Sequence, residues 1–281
     1  MNKNIVSLQK EPNGTVRLTI TIPNDGVKKT WEEVMMEVVN NAEIQGFRKG
    51  KAPRKLVEEK ADKEKIREEV LKKLLPIAYA DAIKTQQIRP IINPKIHVEK
   101  LEDPDTNKDW QFTALTCEAP IIKLGKYKEN IQKITAKSKI AVPGKEPVPA
   151  KFEDIVKALL DSITSQIPEI LIDNETDRLL SQTLEDVKKL GLTLDQYLSS
   201  TGKNPQVLRA EYRKKAENDI KLEFTLAKIA EEEKITVEDK EIEEAIKASK
   251  SEDEKKNLEA NRYLLASILR QQKTLDFLKN L

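Results

Sequence analysis

The stretch TVRLTITI, residues 15–22, alternates aliphatic and polar side chains with a period of two. Because successive side chains of a β-strand point to opposite faces, this pattern predicts a strand with one apolar and one polar face. The pair Asn13-Gly14 before it is typical of a turn. Shorter alternating segments at 91–99 and 110–117 predict two more strands, so the amino-terminal part of the chain should contain a sheet.

Amphipathic helices are predicted between these strands. Residues 25–44 carry apolar side chains at intervals of three and four, and residues 63–86 repeat the pattern. Pro76 should kink the second helix or start a new one, because proline lacks the amide hydrogen that a helix interior uses. With the strands, these helices predict a small α+β domain over residues 1–125.

A proline-rich segment separates this domain from the rest. AKSKIAVPGKEPVPAK, residues 136–151, has three prolines and one glycine among lysines and no apolar period, which is typical of a linker. We assign residues 126–151 to the linker and residues 152–281 to an all-helical domain. Its predicted helices cover 152–166, 173–190, 205–233, a segment that begins with a capping box at Thr236–Asp239, and 252–279, with Gly191 and Gly202 as stops.

Composition limits the classes of function. The 281 residues carry a net charge of only +2, so any electrostatic docking must be local, and the 4% aromatic content favours an elongated helical protein. One cysteine, Cys117, and one histidine, His97, exclude an internal disulfide and the usual zinc sites. We expect no metal, no cofactor and no catalytic residue, because nucleotide-binding, nucleophile-elbow and metalloprotease motifs do not occur.

The same reading predicts a cytoplasmic protein without membrane contact. The amino-terminal residues lack the apolar region of a secretory signal, and no stretch approaches the ~18 apolar residues of a membrane span. A single cysteine fits a reducing compartment.

The segment GFRKGKAPRK, residues 46–55, is the strongest functional signal. It has five cations in ten residues, and its two glycines permit tight bends that would hold Phe47 near a loop tip. An aromatic ring beside Arg48 and Lys49 is typical of a docking contact, in which the ring fills an apolar pocket and the cations meet carboxylates or phosphates. The residues alone leave a second reading open, in which Phe47 folds back onto its own helices and the cations are merely solvated.

The order of these residues resembles a known family. GFRKGKAP resembles the ribosome-docking signature of trigger factor, the bacterial chaperone of nascent chains. The resemblance continues over nearly the whole chain, in PRKLVEEK, AYADAIK, IPEILIDNETDRLL, GLTLDQYL and LRAEYRKKAENDIKLEFTLAKIAEEEKITVEDKEIEEAI. It implies an α+β amino-terminal ribosome-docking domain followed by an elongated all-α chaperone domain with helical arms.

The resemblance also implies partners and site residues. The partners would be the large ribosomal subunit near the exit tunnel and nascent or unfolded polypeptides, with a homodimer away from the ribosome. The residues that match the docking motif are Gly46, Phe47, Arg48, Lys49, Gly50, Lys51 and Pro53, of which Phe47, Arg48 and Lys49 match the loop tip.

The chain departs from the family in one respect. Typical members insert an FKBP-like prolyl isomerase domain where this chain has only its linker before Phe152, so we expect no enzyme activity. The alternatives are a prolyl isomerase that acts through another surface, and an RNA-binding factor, which would need more stacking aromatics than Phe47. A chaperone of this kind would hold its clients with apolar side chains that helix packing does not use. The sequence does not show whether the candidates contact clients or belong to the core; they are Leu222, Leu226, Ile229, Tyr263, Leu264 and Leu265.

Overall fold

A computed structural model describes residues 3–139, 151–249 and 251–281 of the chain. The residues fall into two compact units, 1–119 and 120–281, which are described separately. Over the described ranges, no helix combines the length and the apolar content that crossing a bilayer requires.

The first unit contains an antiparallel sheet of four strands in the order β1-β2-β4-β3. The predicted strand 15–22 is confirmed as β2, which pairs with β4 over its full length and with β1 over residues 16–21. The predicted strand 91–99 begins later, as β3, because Pro90 and Pro94 precede it. The strands are β1 (Ile5–Lys10), β2 (Thr15–Ile22), β3 (Lys95–Lys100) and β4 (Trp110–Cys117).

Three helices complete this unit and cover one face of the sheet: α1 (Asn24–Asn41), α2 (Arg54–Lys60) and α3 (Lys63–Gln86). Leu18 and Ile20 of β2 are fully buried, together with Val27 of α1 and Val70 of α3. Trp110 of β4 is buried in the same core. The predicted α+β character of the amino-terminal part is therefore confirmed.

Pro76 lies inside α3, which runs as one helix from Lys63 to Gln86. Of the two alternatives predicted for Pro76, a kink or a new helix, the structure excludes the new helix. Val70 before the proline and Ala78 and Ala82 after it are all buried in the same core. Packing on both sides therefore keeps the two halves in one helix despite the missing amide hydrogen.

The second unit begins at residue 120, before the segment predicted as a linker, and it includes a helix within that segment. Residues 127–139 form α4 (Tyr127–Lys139), and Tyr127, Ile131 and Thr135 are buried at intervals of four. That narrow stripe packs against the helices that follow residue 151. Residues 140–150, the remainder of the predicted linker, lie outside the described residues.

A two-stranded antiparallel sheet accompanies the helices of the second unit. Its strands are β5 (Ile122–Leu124) and β6 (Ile163–Ser165), so the helix predicted over 152–166 ends earlier, at Asp161. Gly125 follows β5 at a close approach, since a Cβ there would lie 2.3 Å from the carbonyl oxygen of Ser162. Only glycine fits this crossing of the two segments.

The other elements are helical: α5 (Phe152–Asp161), α6 (Glu169–Lys189), α7 (Leu194–Thr201), α8 (Pro205–Glu232), α9 (Asp239–Lys247), α10 (Glu252–Ala260) and α11 (Arg262–Asn280). Helix α7 lies outside the ranges predicted as helices. The predicted last helix is interrupted at Asn261, between α10 and α11. Gly202 ends α7 in a left-handed conformation, as a glycine stop should.

The capping box predicted at Thr236 is wrong. The helix starts three residues later, and Glu238 and Glu241 form the box instead. Two cations of α11 explain the shift, because Arg270 donates to the carbonyl of Ile235 and Lys273 to that of Thr236. These bonds hold the α8–α9 connection outside the helix.

Two apolar clusters stabilise the second unit. The main core is built around fully buried Ile131, Leu159, Ile229 and Leu278. The small core contains Ile242, Ile246 and Leu265. Helix α11 contributes Leu265 to the small core and Leu278 to the main core, so one helix belongs to both.

Ion pairs align α6 and α8 as antiparallel neighbours. Arg209 pairs with Asp177 at 3.0 Å, and Arg213 pairs with Asp173 one helical turn away on each helix. The pairs are partly exposed and lie beside the buried residues through which these two helices pack.

Candidate functional site

The predicted site residues lie together in the cationic loop, residues 42–53, which joins α1 to α2. Three backbone hydrogen bonds close the loop on itself. The amide of Phe47 donates to the carbonyl of Ile44 at 3.0 Å, that of Lys51 to Arg48 at 2.9 Å, and that of Gly50 to Ala42 at 3.0 Å. The last bond joins the two sides of the loop and gives it a defined base.

Two glycines permit this backbone path. Gly46 and Gly50 have φ angles of 93° and 70°, which side-chain-bearing residues rarely adopt. At Gly50 a Cβ would lie 2.4 Å from the carbonyl oxygen of Asn40, whereas at Gly46 nothing lies within 4 Å. Gly50 is therefore required both for its conformation and for its close approach to α1.

The side chains of Phe47, Arg48 and Lys49 project from the tip of the cationic loop. Phe47 keeps 45% of its surface exposed, and Arg48 and Lys49 are exposed beside it. Lys49 lies 3.5 Å from Glu43, in a pair so exposed that it is worth about 0–1 kcal/mol. Within the described ranges, Arg48 and Lys51 have no ion pair. The tip thus offers an aromatic ring and unneutralised cations to solvent.

The carboxyl end of the loop is anchored differently. Ala52 is buried, and Pro53 occupies the N-cap of α2. Arg54, the next residue, pairs with Glu32 of α1 at 2.7 Å and with Glu58 of α2. The guanidinium donates hydrogen bonds to Glu58 and to Glu32, and these bonds raise its pKa. The sequence grouped Arg54 with the loop cations, but in the structure it belongs to the base of the loop.

A groove of about 510 Å³ lies beside this anchor. Its apolar lining comes from Trp31, Met35 and Pro104, and Glu32, Arg54 and Glu58 stand along it. Trp31 is only partly buried, at the edge of the core. Sequence periodicity did not reveal this groove, because it depends on the spacing between α1 and α2.

Large apolar side chains are exposed in groups on the second unit. The α6–α7 surface consists of Leu190, Leu192 and Leu194, and the α11 surface of Tyr263, Leu264 and Ile268. Tyr263 is 91% exposed and Leu190 is 76% exposed. Side chains grouped in this way are typical of interaction surfaces, whereas single exposed ones are ordinary.

The structure sorts the apolar residues that the sequence left open. Leu226, Ile229 and Leu265 are buried in the two cores, and Leu222 packs against the main core. Tyr263 and Leu264 are exposed. Only these last two remain available to a partner.

The remaining polar groups show no catalytic arrangement within the described residues. His97 is exposed on the edge strand β3. Cys117 is buried, which raises the pKa of its thiol to about 11 and keeps it protonated at neutral pH. The same residues contain no group of histidine, cysteine, aspartate and glutamate side chains that could hold a metal ion.

Comparison with known proteins identifies related chains. Residues 4–155 match the family profile described as "Bacterial trigger factor protein (TF)", and residues 148–280 match the profile of its C-terminus. The two matched ranges meet without an intervening stretch.

Individual relatives match over part of the chain. A trigger factor of Staphylococcus epidermidis (strain RP62A) is 37% identical over 120 residues, and one of Staphylococcus aureus (strain Newman) is 34% identical over 120 residues. Each match covers 43% of this chain and 27% of the relative, so only about a quarter of each relative's length is represented.

One solved structure shares the fold. It is described as "Promiscuous Substrate Recognition in Folding and Assembly Activities of the Trigger Factor Chaperone" and aligns with a TM-score of 0.67 at 13% identity. The alignment covers 98% of this chain and 99% of that chain. The predicted arrangement of an α+β part followed by a helical part is therefore confirmed at the level of the fold.

Proposed function

Since this chain belongs to the bacterial trigger factor family, we propose that it is a ribosome-associated chaperone that binds nascent or unfolded polypeptides and delays their misfolding. The observation that carries this proposal is the cationic loop, in which Phe47 is exposed beside two exposed cations. Such a protein works in the cytoplasm, where ribosomes translate.

The docking contact would be made by Phe47, Arg48 and Lys49. The ring would enter an apolar pocket on the large subunit near the exit tunnel, and the two cations would pair with carboxylates or phosphates at its rim. Gly46, Gly50, Lys51 and Pro53 would shape the loop rather than make the main contact. Because backbone hydrogen bonds already hold the loop, docking would lose little conformational entropy.

Client binding would use the exposed apolar groups of the helical unit as a dispersed cradle. Micromolar affinity corresponds to about −8 kcal/mol. With an association cost of about 4–15 kcal/mol and about 25 cal/mol per Å² of apolar surface, this affinity needs roughly 500–900 Å² of apolar contact. One side chain cannot supply that area, so the α6–α7 and α11 surfaces would share the contact with neighbouring residues.

Cosedimentation with ribosomes tests the docking proposal. We expect the variant Phe47→Ala/Arg48→Ala/Lys49→Ala to lose binding at physiological salt, since it removes the ring and both cations. A matched control, Ile77→Ala/Lys72→Ala/Lys84→Ala, removes one exposed apolar side chain and two cations from α3 and should bind normally. Unchanged binding of the loop variant would refute the docking assignment.

A refolding assay tests whether the chain is also an enzyme. We propose that it has no catalytic centre and only delays aggregation. Proline-limited refolding of a substrate protein should then keep its slow phase, which lasts tens to hundreds of seconds without catalysis. Acceleration of that phase would favour the alternative, a prolyl isomerase acting through another surface.

The family resemblance also leads us to propose a homodimer away from the ribosome. Sedimentation equilibrium of the free protein over a range of concentrations measures it directly. A single species of monomer mass at all concentrations would exclude the dimer.

A further inference from the structure

We propose that Arg54 is a positioning residue for the cationic loop: by joining Glu32 of α1 to Glu58 of α2, it holds the loop in the conformation that docks. This inference rests on the proposed docking function and concerns the same loop. It separates Arg54 from Arg48 and Lys49, which would touch the partner themselves.

The guanidinium of Arg54 contacts two carboxylates through different nitrogen atoms. One terminal nitrogen, Nη2, lies 2.7 Å from Oε2 of Glu32, while Nε donates to Oε1 of Glu58. Glu58 is one turn further along α2, so it orients the planar group that reaches across to α1. The three side chains therefore form a bridge, the Arg54 bridge, between the helices on either side of the loop.

The helix that follows the loop is short and buries few of its side chains. Helix α2 has seven residues, and Val57 is its only buried one among the described side chains. The 510 Å³ groove lies along the bridge, so side-chain packing does not fill the space between α1 and α2 there. An ion pair that spans a gap fixes a distance and a direction that packing does not fix.

The bridge controls the loop because it controls the separation of the loop's two ends. Glu32 lies nine residues before Asn41, the last residue of α1, which is about 14 Å along the helix axis. The bridge thus holds α2 back along the side of α1. That placement keeps Gly50 close enough to α1 for its amide to reach the carbonyl of Ala42.

Lysine could not replace arginine in this role. A lysine ammonium is a point charge, whereas the guanidinium presents its donors in a rigid fork that can meet two carboxylates at fixed angles. The variant Arg54→Lys keeps the charge and removes the fork. It therefore separates a positioning role from a simple contribution to positive charge.

The experiment measures ribosome affinity and amide hydrogen exchange for three variants of the full chain. Arg54→Lys leaves the net charge unchanged, and Glu32→Gln raises it by one. Glu69→Gln is the matched control, because it also raises the charge by one by removing an exposed carboxylate, from a pair within α3. Exchange is read at the amides of Phe47, Gly50 and Lys51, which close the loop.

If the Arg54 bridge positions the loop, Arg54→Lys and Glu32→Gln both weaken ribosome binding by about two- to fivefold, as expected for a surface ion pair. Both also speed exchange at the Gly50 amide by a similar factor, while Glu69→Gln leaves exchange unchanged and does not weaken binding. Weaker binding of Glu32→Gln is the decisive result, since added positive charge alone would strengthen docking to an anionic partner.

Wild-type affinity and exchange in both bridge variants would overturn the inference while leaving docking intact. The proposed function fails separately, if the triple loop variant still binds ribosomes. In that case the exchange measurement on the free protein still decides whether the Arg54 bridge holds the loop. Faster Gly50 exchange in both variants supports it, and unchanged exchange refutes it.

Discussion

The two units of the chain differ in how they expose large apolar side chains. In the first unit these side chains stand singly on different elements, such as Ile5 on β1, Phe47 in the cationic loop and Ile77 on α3. In the second unit some stand singly, such as Ile121, but others occur in groups, as in the α6–α7 and α11 surfaces. The proposed functions match this difference. Docking at one ribosomal site needs a single aromatic side chain held by a rigid loop, whereas binding many clients needs a large apolar area.

The structural support around these side chains differs in the same way. Phe47 is surrounded by three backbone hydrogen bonds and two glycines with positive φ. The α11 surface lies on an ordinary helix, beside a small core of three buried residues. A surface that binds clients without sequence specificity does not require an unusual backbone conformation.

The largest expected effect is the loss of stability when a buried side chain in the core of the first unit is truncated. Leu18→Ala should lower the free energy of unfolding by about 2–5 kcal/mol, because the side chain is fully buried between the sheet and the helices. Urea denaturation measures it. Leu264→Ala, which truncates an exposed leucine, is the control and should stay within about 0.5 kcal/mol of the wild type. Equal losses in the two variants would contradict the description of the core.

The next effect separates the two glycines of the loop. Gly50→Ala should destabilise the loop by about 1–3 kcal/mol or more, since it adds a clash with the backbone of Asn40 to an unfavourable φ. Gly46→Ala carries only the conformational cost, about 1–2 kcal/mol. Ribosome affinity and amide exchange at Lys51 should follow this order. If Gly46→Ala proved the more harmful, the loop geometry described here would be wrong.

The helical unit can be tested by making the α11 surface polar. The variant Tyr263→Ser/Leu264→Ser/Ile268→Ser should suppress aggregation of an unfolded client less well, by about two- to tenfold in the amount required, and should still bind ribosomes. Ser267→Ala/Gln272→Ala changes exposed polar residues of the same helix and is the control. Loss of ribosome binding in the serine variant would break the proposed division of tasks between the units.

The smallest effect is a pH dependence in the helical unit. Lys128 and Tyr127 hydrogen-bond to Glu233 and hold the pKa of its carboxyl below the usual value. A carboxyl whose folded pKa is lowered stabilises the fold fully above its unfolded pKa, about 4.3, and loses this contribution as the pH falls through the folded pKa. Glu233→Gln should therefore lower the urea midpoint at pH 7 and converge with the wild type in acid. A difference that persists at low pH would exclude this ionic origin.

Much of the fold could be predicted from periodicity. The strand 15–22 and the helix 63–86 were found with their observed ends, because their apolar patterns are long and regular. Helix α4 was missed because its buried stripe is only Tyr127, Ile131 and Thr135 among lysines and polar residues. Strand β6 has three residues, too few to show a period of two.

The candidate site could be predicted only in part. The cations and glycines of residues 46–51 were visible as residue types, and the turn that they form follows from glycine chemistry. The exposure of Phe47 and the pairing of Arg54 with Glu32 depend on how α1 and α2 are placed, and no local pattern encodes that placement. Their roles in docking stay predictions.

The shared helix α11 has a consequence for synthesis of the protein itself. Leu278 closes the main core against Ile131 and Leu159, which leave the ribosome more than a hundred residues earlier. Until α11 emerges, the main core lacks the contribution of Leu278, and a partly translated copy exposes apolar surface that the complete chain buries. At that moment the protein is itself the kind of nascent chain that a chaperone of this class would bind.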